Sequence, residues 1–497
     1  MERLEAVNRA LLAYLRAKAA DDPDAAALVA RLDAIGAQAP AVAAAPGAPS
    51  APVPQPAPVQ ASAETATAAG TTPAGEGEAT GGASAGGVIG FNSTYTYRML
   101  DHAENVNTRP LMLLEARAAG ALPSAVTLGG SITAITDWQS SNRNSKFAYL
   151  MRHPTSANQI GGHVSEAVIH SAQFQATVGF SGNLSGYAEL LYNPEQSFGS
   201  GTITDVNRNQ VELRKAFLLW GNLAKSPFYA AIGKMDVPFG VNDTVSPFTN
   251  STNWHAFAGL AYGAQVGYFG GGFHIRAMLV QGGAQFRAAN APVHGTAVPS
   301  KLNNFAVDAN YTFRLAADAS LKLGGSYQNA TAYCQDYPVG HFQGCENNVP
   351  AWAAYGRLVY RRVTLAGEIA HTTRVWPGTQ VPDPDNPLSA YPAHKVTAFT
   401  VGARYAAPIV PHDLTLSFEF SQFRAGPHGA PWSRQNQWVA GVANRVLPSV
   451  DLFGEYIYTQ GYAPLNFVSG GNFPDGSTWS DNTARSHVVL LGLQAAF

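Results

Sequence analysis

The chain has 497 residues, of which only 13% are charged, and its formal net charge is -2. A net charge this close to zero argues against a nucleic-acid-binding protein, which needs a basic face. Soluble proteins carry roughly 25% charged residues, yet no stretch of this chain approaches the roughly 20 consecutive apolar residues of a membrane helix. Low charge without such a helix is typical of a transmembrane β-barrel, in which every second residue faces lipid.

The N-terminal region, residues 1–37, is predicted to be helical and coiled-coil-like. Apolar residues recur there at intervals of three and four, with a break at Asp21-Asp22-Pro23. The pattern fits either an oligomerisation stalk or a pair of separate amphipathic helices. The first residues, MERLEAV, lack the apolar core of a secretory signal. Either the natural chain starts elsewhere, or the export argued below does not occur.

Residues 38–90 are predicted to be a disordered linker, because they consist mostly of Ala, Pro, Gly, Ser and Thr and cannot bury enough apolar surface to fold. Residues 91–124 form a pre-barrel segment in which aromatic residues return. Pro110 is placed to occupy a first helical position, which predicts a helix of about ten residues after Thr108. The sequence leaves open whether this segment lies below the barrel or enters it.

From residue 125 to residue 497 the apolar pattern has a period of two, which predicts an all-β, closed, antiparallel transmembrane barrel of about 16 strands. Each predicted strand is close to the 9 to 11 residues that a tilted spanning strand requires. The predicted strands are 125–138, 167–180, 184–193, 210–220, 227–236, 261–269, 272–282, 303–314, 319–330, 350–360, 363–373, 395–406, 413–424, 434–446, 449–460 and 485–497.

Short turns alternate with long connections throughout this region, which is the asymmetry of outer-membrane barrels. Because the last strand ends on the aromatic Phe497, it is predicted to close the barrel against the strand that starts near Ala125. Aromatic residues near the short turns are predicted to form one interfacial girdle. The long connection 237–260 is the one we expect to fold inward and narrow the pore.

One predicted strand breaks the alternation, because Lys215 shares a face with Leu213 and Phe217. A lysine facing lipid at mid-bilayer costs about 2–4 kcal/mol. We therefore expect a β-bulge, a position near the interface, or a subunit contact at this point.

A barrel of about 16 strands encloses an aqueous lumen, and charged residues of the inward register are the candidate pore residues. Acids and bases are nearly balanced among them, which indicates either a transverse field or mutual neutralisation in wall salt bridges. The candidates are Glu189, Glu212, Arg214, Lys234, Asp236, Arg276, Asp308, Arg314, Arg357, Glu368, Arg404, Glu419 and Glu455, together with Lys322 and Asp451.

The only two cysteines, Cys334 and Cys345, lie in one Pro- and Gly-containing segment. This spacing predicts a loop disulfide formed in an oxidising compartment. Zinc binding with His341 is the alternative, but two thiols and one imidazole in a single loop lack the paired spacing of a structural zinc site. No catalytic motif and no cofactor-binding motif is present, so an enzyme, a cofactor and a resident metal are not predicted.

Several short stretches resemble one known family. They are RKAF at 214–217, WGNL at 220–223, SPFYA at 226–230, IGK at 232–234, PFG at 238–240, RPLMLL at 109–114 and LGG at 128–130. In these stretches the chain resembles the LbtU-type siderophore porin family. The resemblance implies an outer-membrane barrel of sixteen strands and, as cargo, a ferric siderophore taken up without a separate plug domain. Porins with an N-terminal coiled coil that assemble as trimers share much of this pattern.

The predicted function is that of an outer-membrane porin, in contact with lipid, that carries small solutes, with a ferric siderophore as the cargo implied by the resemblance. One alternative is a general or substrate-selective diffusion porin that forms a homotrimer. The other is a tether, in which the helical stalk reaches the cell wall and the barrel serves as its anchor.

Overall fold

The computed structural model of the protein describes residues 87–142, 162–193, 197–198, 206–207, 210–281, 301–333, 348–375, 392–409, 414–430, 433–461 and 482–497. The predicted stalk, nearly all of the predicted linker, and both cysteines lie outside these residues. Within them, no helix is long and apolar enough to cross a membrane.

The described residues form three helices and nineteen strands, and sixteen of the strands build one barrel. The helices are α1 (Ser93–Leu100), α2 (Arg109–Ala118) and α3 (Thr252–Phe257). The strands are β1 (Ile89–Phe91), β2 (Val126–Ser141), β3 (His163–Gly179), β4 (Leu184–Asn193), β5 (Ser197–Phe198), β6 (Val206–Asn207), β7 (Gln210–Gly221), β8 (Phe228–Asp236), β9 (Leu260–Gly270), β10 (Phe273–Val280), β11 (Asn304–Ala316), β12 (Ala319–Gln328), β13 (Ala351–Tyr360), β14 (Val363–Thr372), β15 (Thr397–Ala407), β16 (Leu414–Arg424), β17 (Arg434–Leu447), β18 (Val450–Gly461) and β19 (Arg485–Ala496).

The barrel is a closed antiparallel meander of β2, β3, β4 and β7 to β19, which confirms the predicted fold class. Each strand pairs with the next along the chain, and the short β5 and β6 pair only with each other. The closing seam joins β19 to β2, with Ala496 opposite Ser131. Phe497 continues it, since its N–H donates to the Gly130 carbonyl at 3.0 Å and its carbonyl accepts from the Gly130 N–H at 3.3 Å. The last strand therefore has the partner that its sequence position predicts.

The alternation within each strand separates an outward apolar face from an inward face. Leu491 and Val266 are typical of the outward face, with 50% and 60% of their surfaces exposed. On this face, exposed aromatic rings mark the short-turn end of the barrel, where a girdle is predicted. These rings belong to Phe180, Phe273, Phe313, Tyr360, Tyr405 and Phe497.

A β-bulge resolves the conflict at Lys215. Glu189 pairs with Lys215 and Leu190 pairs with Leu213, so Arg214 is the extra residue of β7. The bulge resets the alternation, which leaves Leu213 on the outward face and turns Lys215 inward. The Lys215 side chain is 3% exposed, and its ammonium group lies 2.7 Å from the Asp236 carboxylate. Of the three expected solutions, the structure has the bulge.

We predict that Asp236→Leu destabilises the barrel by about 3–5 kcal/mol, because it leaves the Lys215 charge buried without its partner. The double variant Lys215→Met/Asp236→Leu should recover most of the loss, because it removes both charges. The measurement is urea unfolding of the protein folded in lipid. Equal stability of the single and double variants would show that the ion pair is not the reason for the cost.

Candidate functional site

Residues 87–125 form a hairpin that enters the barrel from the short-turn end and returns to it. At its start, β1 pairs in parallel with the first residues of β2. At its return, the Arg117 guanidinium near the end of α2 donates to the Ser181 carbonyl in the turn between β3 and β4, at 2.5 Å. We call residues 87–125 the N-terminal hairpin.

The two helices of the hairpin begin where their sequences specify. The Asn92 side chain caps α1 by accepting from the Tyr95 N–H at 2.9 Å. Pro110 lies in the first turn of α2, and this ten-residue helix confirms the prediction made from that proline. Helix α1 passes so close to β2 that a side chain at Gly129 would collide with Thr96.

Apolar contacts hold the hairpin against the inner wall. Met99, Leu113 and Leu114 are at most 1% exposed. They belong to one hydrophobic cluster with inward residues of β4, β7 and β8, namely Tyr187, Phe217, Leu219, Tyr229 and Met235. Because these wall residues alternate with exposed lipid-facing ones, the cluster lies inside the barrel.

The apex of the hairpin, residues 101–108, is joined to the wall by hydrogen bonds. Arg109 donates to the Arg98 carbonyl at 2.5 Å and also to the Asp101 carbonyl, which closes the apex upon itself. Arg276 of β10 donates to the Asn107 carbonyl at 2.5 Å. The same guanidinium is paired with Asp308 of β11 at 2.6 Å.

The connection 237–260 also lies inside the barrel, as expected, and we call it the inner loop. Three carboxylates on alternate strands accept its backbone N–H groups. Glu368 of β14 accepts from Asn242 at 2.9 Å, and Glu419 of β16 accepts from Val245 at 3.0 Å. Glu455 of β18 accepts from Phe248 and Thr249, at 2.8 and 3.0 Å. An irregular segment needs such acceptors, because its own carbonyls do not pair its N–H groups.

The inner loop and the hairpin contact each other across the lumen. The Thr244 N–H donates to the Ala103 carbonyl at 2.9 Å, and the Val106 N–H donates to the Asp243 carboxylate at 3.1 Å. The Asn107 amide reaches the Gly240 carbonyl at 2.5 Å. Together the two segments fill much of the barrel interior.

Part of the interior is apolar, although the sequence predicts an aqueous lumen lined by charged residues. Phe248 of the inner loop is 1% exposed and stacks on Phe453 of β18, with ring centroids 5.3 Å apart. Inward residues of β2 and β17 to β19 complete this cluster: Ile135, Val439, Ile457, Val488 and Leu490. The side chains are apolar here because they pack against an inserted loop instead of water.

Charged groups surround a cavity of about 320 Å³ between the hairpin, the inner loop and the inner wall of β15 to β19. Glu104 of the apex pairs with Arg404 of β15 and lies 3.3 Å from Arg357 of β13. Arg445 and Asp451 pair at 2.9 Å, and the Tyr97 hydroxyl donates to Asp451. This polar cavity is the candidate site for a passing solute.

Burial and four neighbouring groups govern the ionisation of Asp101 at this cavity. Burial raises the pKa of the Asp101 carboxyl to about 6, although its hydrogen bond from the Ala103 N–H and the nearby Arg109 charge oppose the shift. The carboxyl group is therefore more easily protonated than an ordinary aspartate.

Most predicted pore residues have inward positions, and many are already paired. Glu189 is 1% exposed and accepts from Arg214 at 3.2 Å. Asp308 also accepts from Ser326 and Tyr355, each at 2.7 Å. Glu212 and Lys322 are partly exposed, and Arg314 is exposed near a short turn. Their roles in conduction stay predictions.

Lys234 has different surroundings from the other candidates, although its side chain is buried, with 6% of its surface exposed. Its register partners are Ala216 and Tyr262, and Tyr262 is 56% exposed on the outward face. The Lys234 ammonium donates to the Leu213 carbonyl beside the bulge at 2.9 Å and lies 5.8 Å from the Tyr262 ring. A backbone carbonyl and an aromatic face satisfy this charge without the lumen.

Sequence reasoning did not identify Tyr97, Asp101, Glu104 and Arg109 as residues of the interior. The charged apex between two apolar helical stretches was the available signal, but nothing local shows that this stretch enters a barrel. Among the described residues, no three His, Cys, Asp or Glu side chains are arranged to hold a metal ion.

Comparison with known proteins identifies the family. The model for the Gram-negative porin family matches residues 111–462. The chain belongs to the Gram-negative porin family. It is therefore an outer-membrane channel for small solutes and not an enzyme, as predicted. Membership of the narrower siderophore family is not shown.

Other similarities are weaker. A "UPF0422 protein" of Coxiella burnetii is 30% identical over 95 residues, which cover 17% of this chain and 19% of that protein. The porin thus spans less than a fifth of that relative's length.

Solved structures similar to this porin include an anion-selective porin from Comamonas acidovorans, with a TM-score of 0.45, 11% identity, and coverage of 75% of this chain and 99% of that one. OprB of Pseudomonas putida is similar with a TM-score of 0.46 and 10% identity, over 80% of this chain and 99% of that one. OmpF of Salmonella typhi in complex with daunomycin has a TM-score of 0.45 and 12% identity, over 75% of this chain and 97% of that one. Likenesses at this level say nothing of what passes through the pore.

We predict that Glu455→Ala loosens the inner loop of the porin, because the Phe248 and Thr249 N–H groups lose their acceptor. An unsatisfied buried donor costs about 1–3 kcal/mol. Hydrogen–deuterium exchange of the peptide containing these residues should accelerate markedly. Glu455→Gln keeps an acceptor oxygen and should show a smaller change. Unaltered exchange in the alanine variant would contradict the anchoring role of Glu455.

We predict that acid pH stabilises the docked hairpin through Asp101. Because the folded pKa, about 6, lies above the ordinary value of 3.8, the native state binds more protons between these values, and stability falls as pH rises through this window. In scanning fluorimetry from pH 4 to pH 7.5, Asp101→Asn should flatten this part of the Tm profile. An unchanged profile would exclude Asp101 as its source.

Proposed function

We propose that this porin is a narrow channel for small polar solutes, and that solutes pass between the N-terminal hairpin and the inner wall of β15 to β19. The observation that carries the proposal is the charged cavity of about 320 Å³ at this position. Its volume is at the lower end of the range of small-molecule sites. Its partly exposed walls carry both signs of charge, from Glu104, Arg404 and Asp451.

A more specific proposal for the transported solute is a ferric siderophore, the cargo implied by the family resemblance. An iron ion enclosed by an organic chelator is a bulky cargo for a passage in which charged side chains already pair with each other. Its passage would therefore require the hairpin to leave its place or the inner loop to move. Uptake of a labelled ferric siderophore into liposomes that contain the porin tests this cargo, and uptake no faster than in protein-free liposomes would exclude it.

The homotrimer, the N-terminal coiled coil and the cell-wall tether also stay predictions. The homotrimer and the coiled coil are predictions about assembly. The tether, like the coiled coil, depends on the N-terminal stalk and linker. Because residues 1–86 lie outside the described part of the chain, no contact of theirs bears on these alternatives.

We predict discrete conductance steps from the full-length porin in planar bilayers, and a larger step for Phe453→Ala. The Phe453 ring lines the proposed passage, so its removal widens the path, and we expect conductance to rise by roughly half. Phe418→Ala is the matched control, because that ring is 54% exposed on the outward face. The proposed path is wrong if the two variants conduct alike.

A further inference from the structure

Four basic residues lie at the same height inside the barrel wall, in the half nearer the short turns. Lys322 is three residues from the start of β12, Arg357 and Arg404 are three residues from the ends of β13 and β15, and Arg445 is two residues from the end of β17. Lys322 and Arg357 are direct cross-strand partners. The inward wall therefore presents a row of positive charge at this level.

The carboxylate that contacts Arg357 and Arg404, the two middle residues of this row, does not belong to a barrel strand. One carboxylate oxygen of Glu104, at the apex of the N-terminal hairpin, contacts the guanidinium groups of both Arg357 and Arg404. Arg357 also lies 3.4 Å from Asp243 of the inner loop. The inserted segments thus supply the negative charge that compensates Arg357 and Arg404, whereas Arg445 pairs with Asp451 of the wall.

The position of Glu104 is accessible to solutes. The side chains of Arg357, Arg404 and Glu104 are 23%, 24% and 25% exposed. Glu104 and Arg404 both line the cavity through which we propose that solutes pass. Two guanidinium groups directed at one oxygen are an arrangement that recognises carboxylates, with planar donors that stay charged at every physiological pH.

We propose that Arg357 and Arg404 form a binding site for the carboxylate of anionic solutes, and that Glu104 occupies this site as a built-in competitor. The inference rests on the proposed function and names its solute class. A solute carboxylate takes the place of the Glu104 carboxylate, and the displaced side chain turns toward water in the cavity. With Glu104 bound, the row is partly neutralised and anions gain little preference over cations.

The test compares ion selectivity and carboxylate binding in the full-length porin. In planar bilayers under a KCl gradient, Glu104→Gln should raise the chloride-to-potassium permeability ratio roughly threefold, because one negative charge is lost from a confined, weakly screened passage. Potassium succinate should also reduce the chloride current at lower concentration in this variant. Arg404→Gln should change both quantities in the opposite direction, and the double variant should return close to the wild type.

Asp318→Asn is the matched control, because Asp318 is also a carboxylate paired with an arginine at the short-turn end, but it is 52% exposed and lies outside the lumen. Its selectivity should equal that of the wild type. If neither Glu104→Gln nor Arg404→Gln changes the ion selectivity or the sensitivity to succinate, the proposed carboxylate site is wrong. The proposed porin function would not be affected by that result. A wild-type protein that forms no channels would instead contradict the proposed function.

Discussion

In lipid, every backbone N–H and C=O group must be paired within the protein, and the rest of this structure depends on that constraint. It explains why Phe497, directly after β19, still bonds to Gly130 and why each of the sixteen described barrel strands has a neighbour on both sides. A closed barrel of sixteen strands has a lumen that its own wall side chains do not fill. The chain therefore decides how wide the passage is with segments that it inserts from elsewhere.

Two inserted segments meet this need in different ways. The N-terminal hairpin packs apolar side chains against β4, β7 and β8, so the hydrophobic effect holds most of it. The inner loop is held mainly by wall carboxylates that accept its N–H groups, a device suited to a segment with little regular structure. Where the apex of the hairpin meets the opposite wall, ion pairs such as Glu104 with Arg404 replace close packing. A polar cavity of about 320 Å³ lies on that side.

Much of the barrel could be predicted because the period-two pattern depends on one simple environment, with lipid on one side of every strand. All sixteen strands lie within a few residues of their predicted positions, and the bulge at Arg214 follows from a lysine on an apolar face. The interior was less predictable, because its environment is made by residues distant in sequence. Glu104 and Phe248 have the contacts they do only because two segments meet inside the barrel. Lys234 also departs from the expectation, because charge alone suggested the lumen, whereas its ammonium donates a hydrogen bond to the Leu213 carbonyl beside the bulge.

The N-terminal hairpin lies inside the barrel, and Tyr97 of α1 contacts β17 and β18 there. The Tyr97 ring lies 4.6 Å from the Arg445 guanidinium, and its hydroxyl bonds to Asp451. The most direct measurement replaces Tyr97 with a photo-crosslinking benzophenone amino acid in the folded, membrane-embedded protein and maps the products by mass spectrometry. The account predicts crosslinks to peptides containing residues 443–453. Efficient crosslinking confined to other proteins or to residues outside the barrel would contradict it.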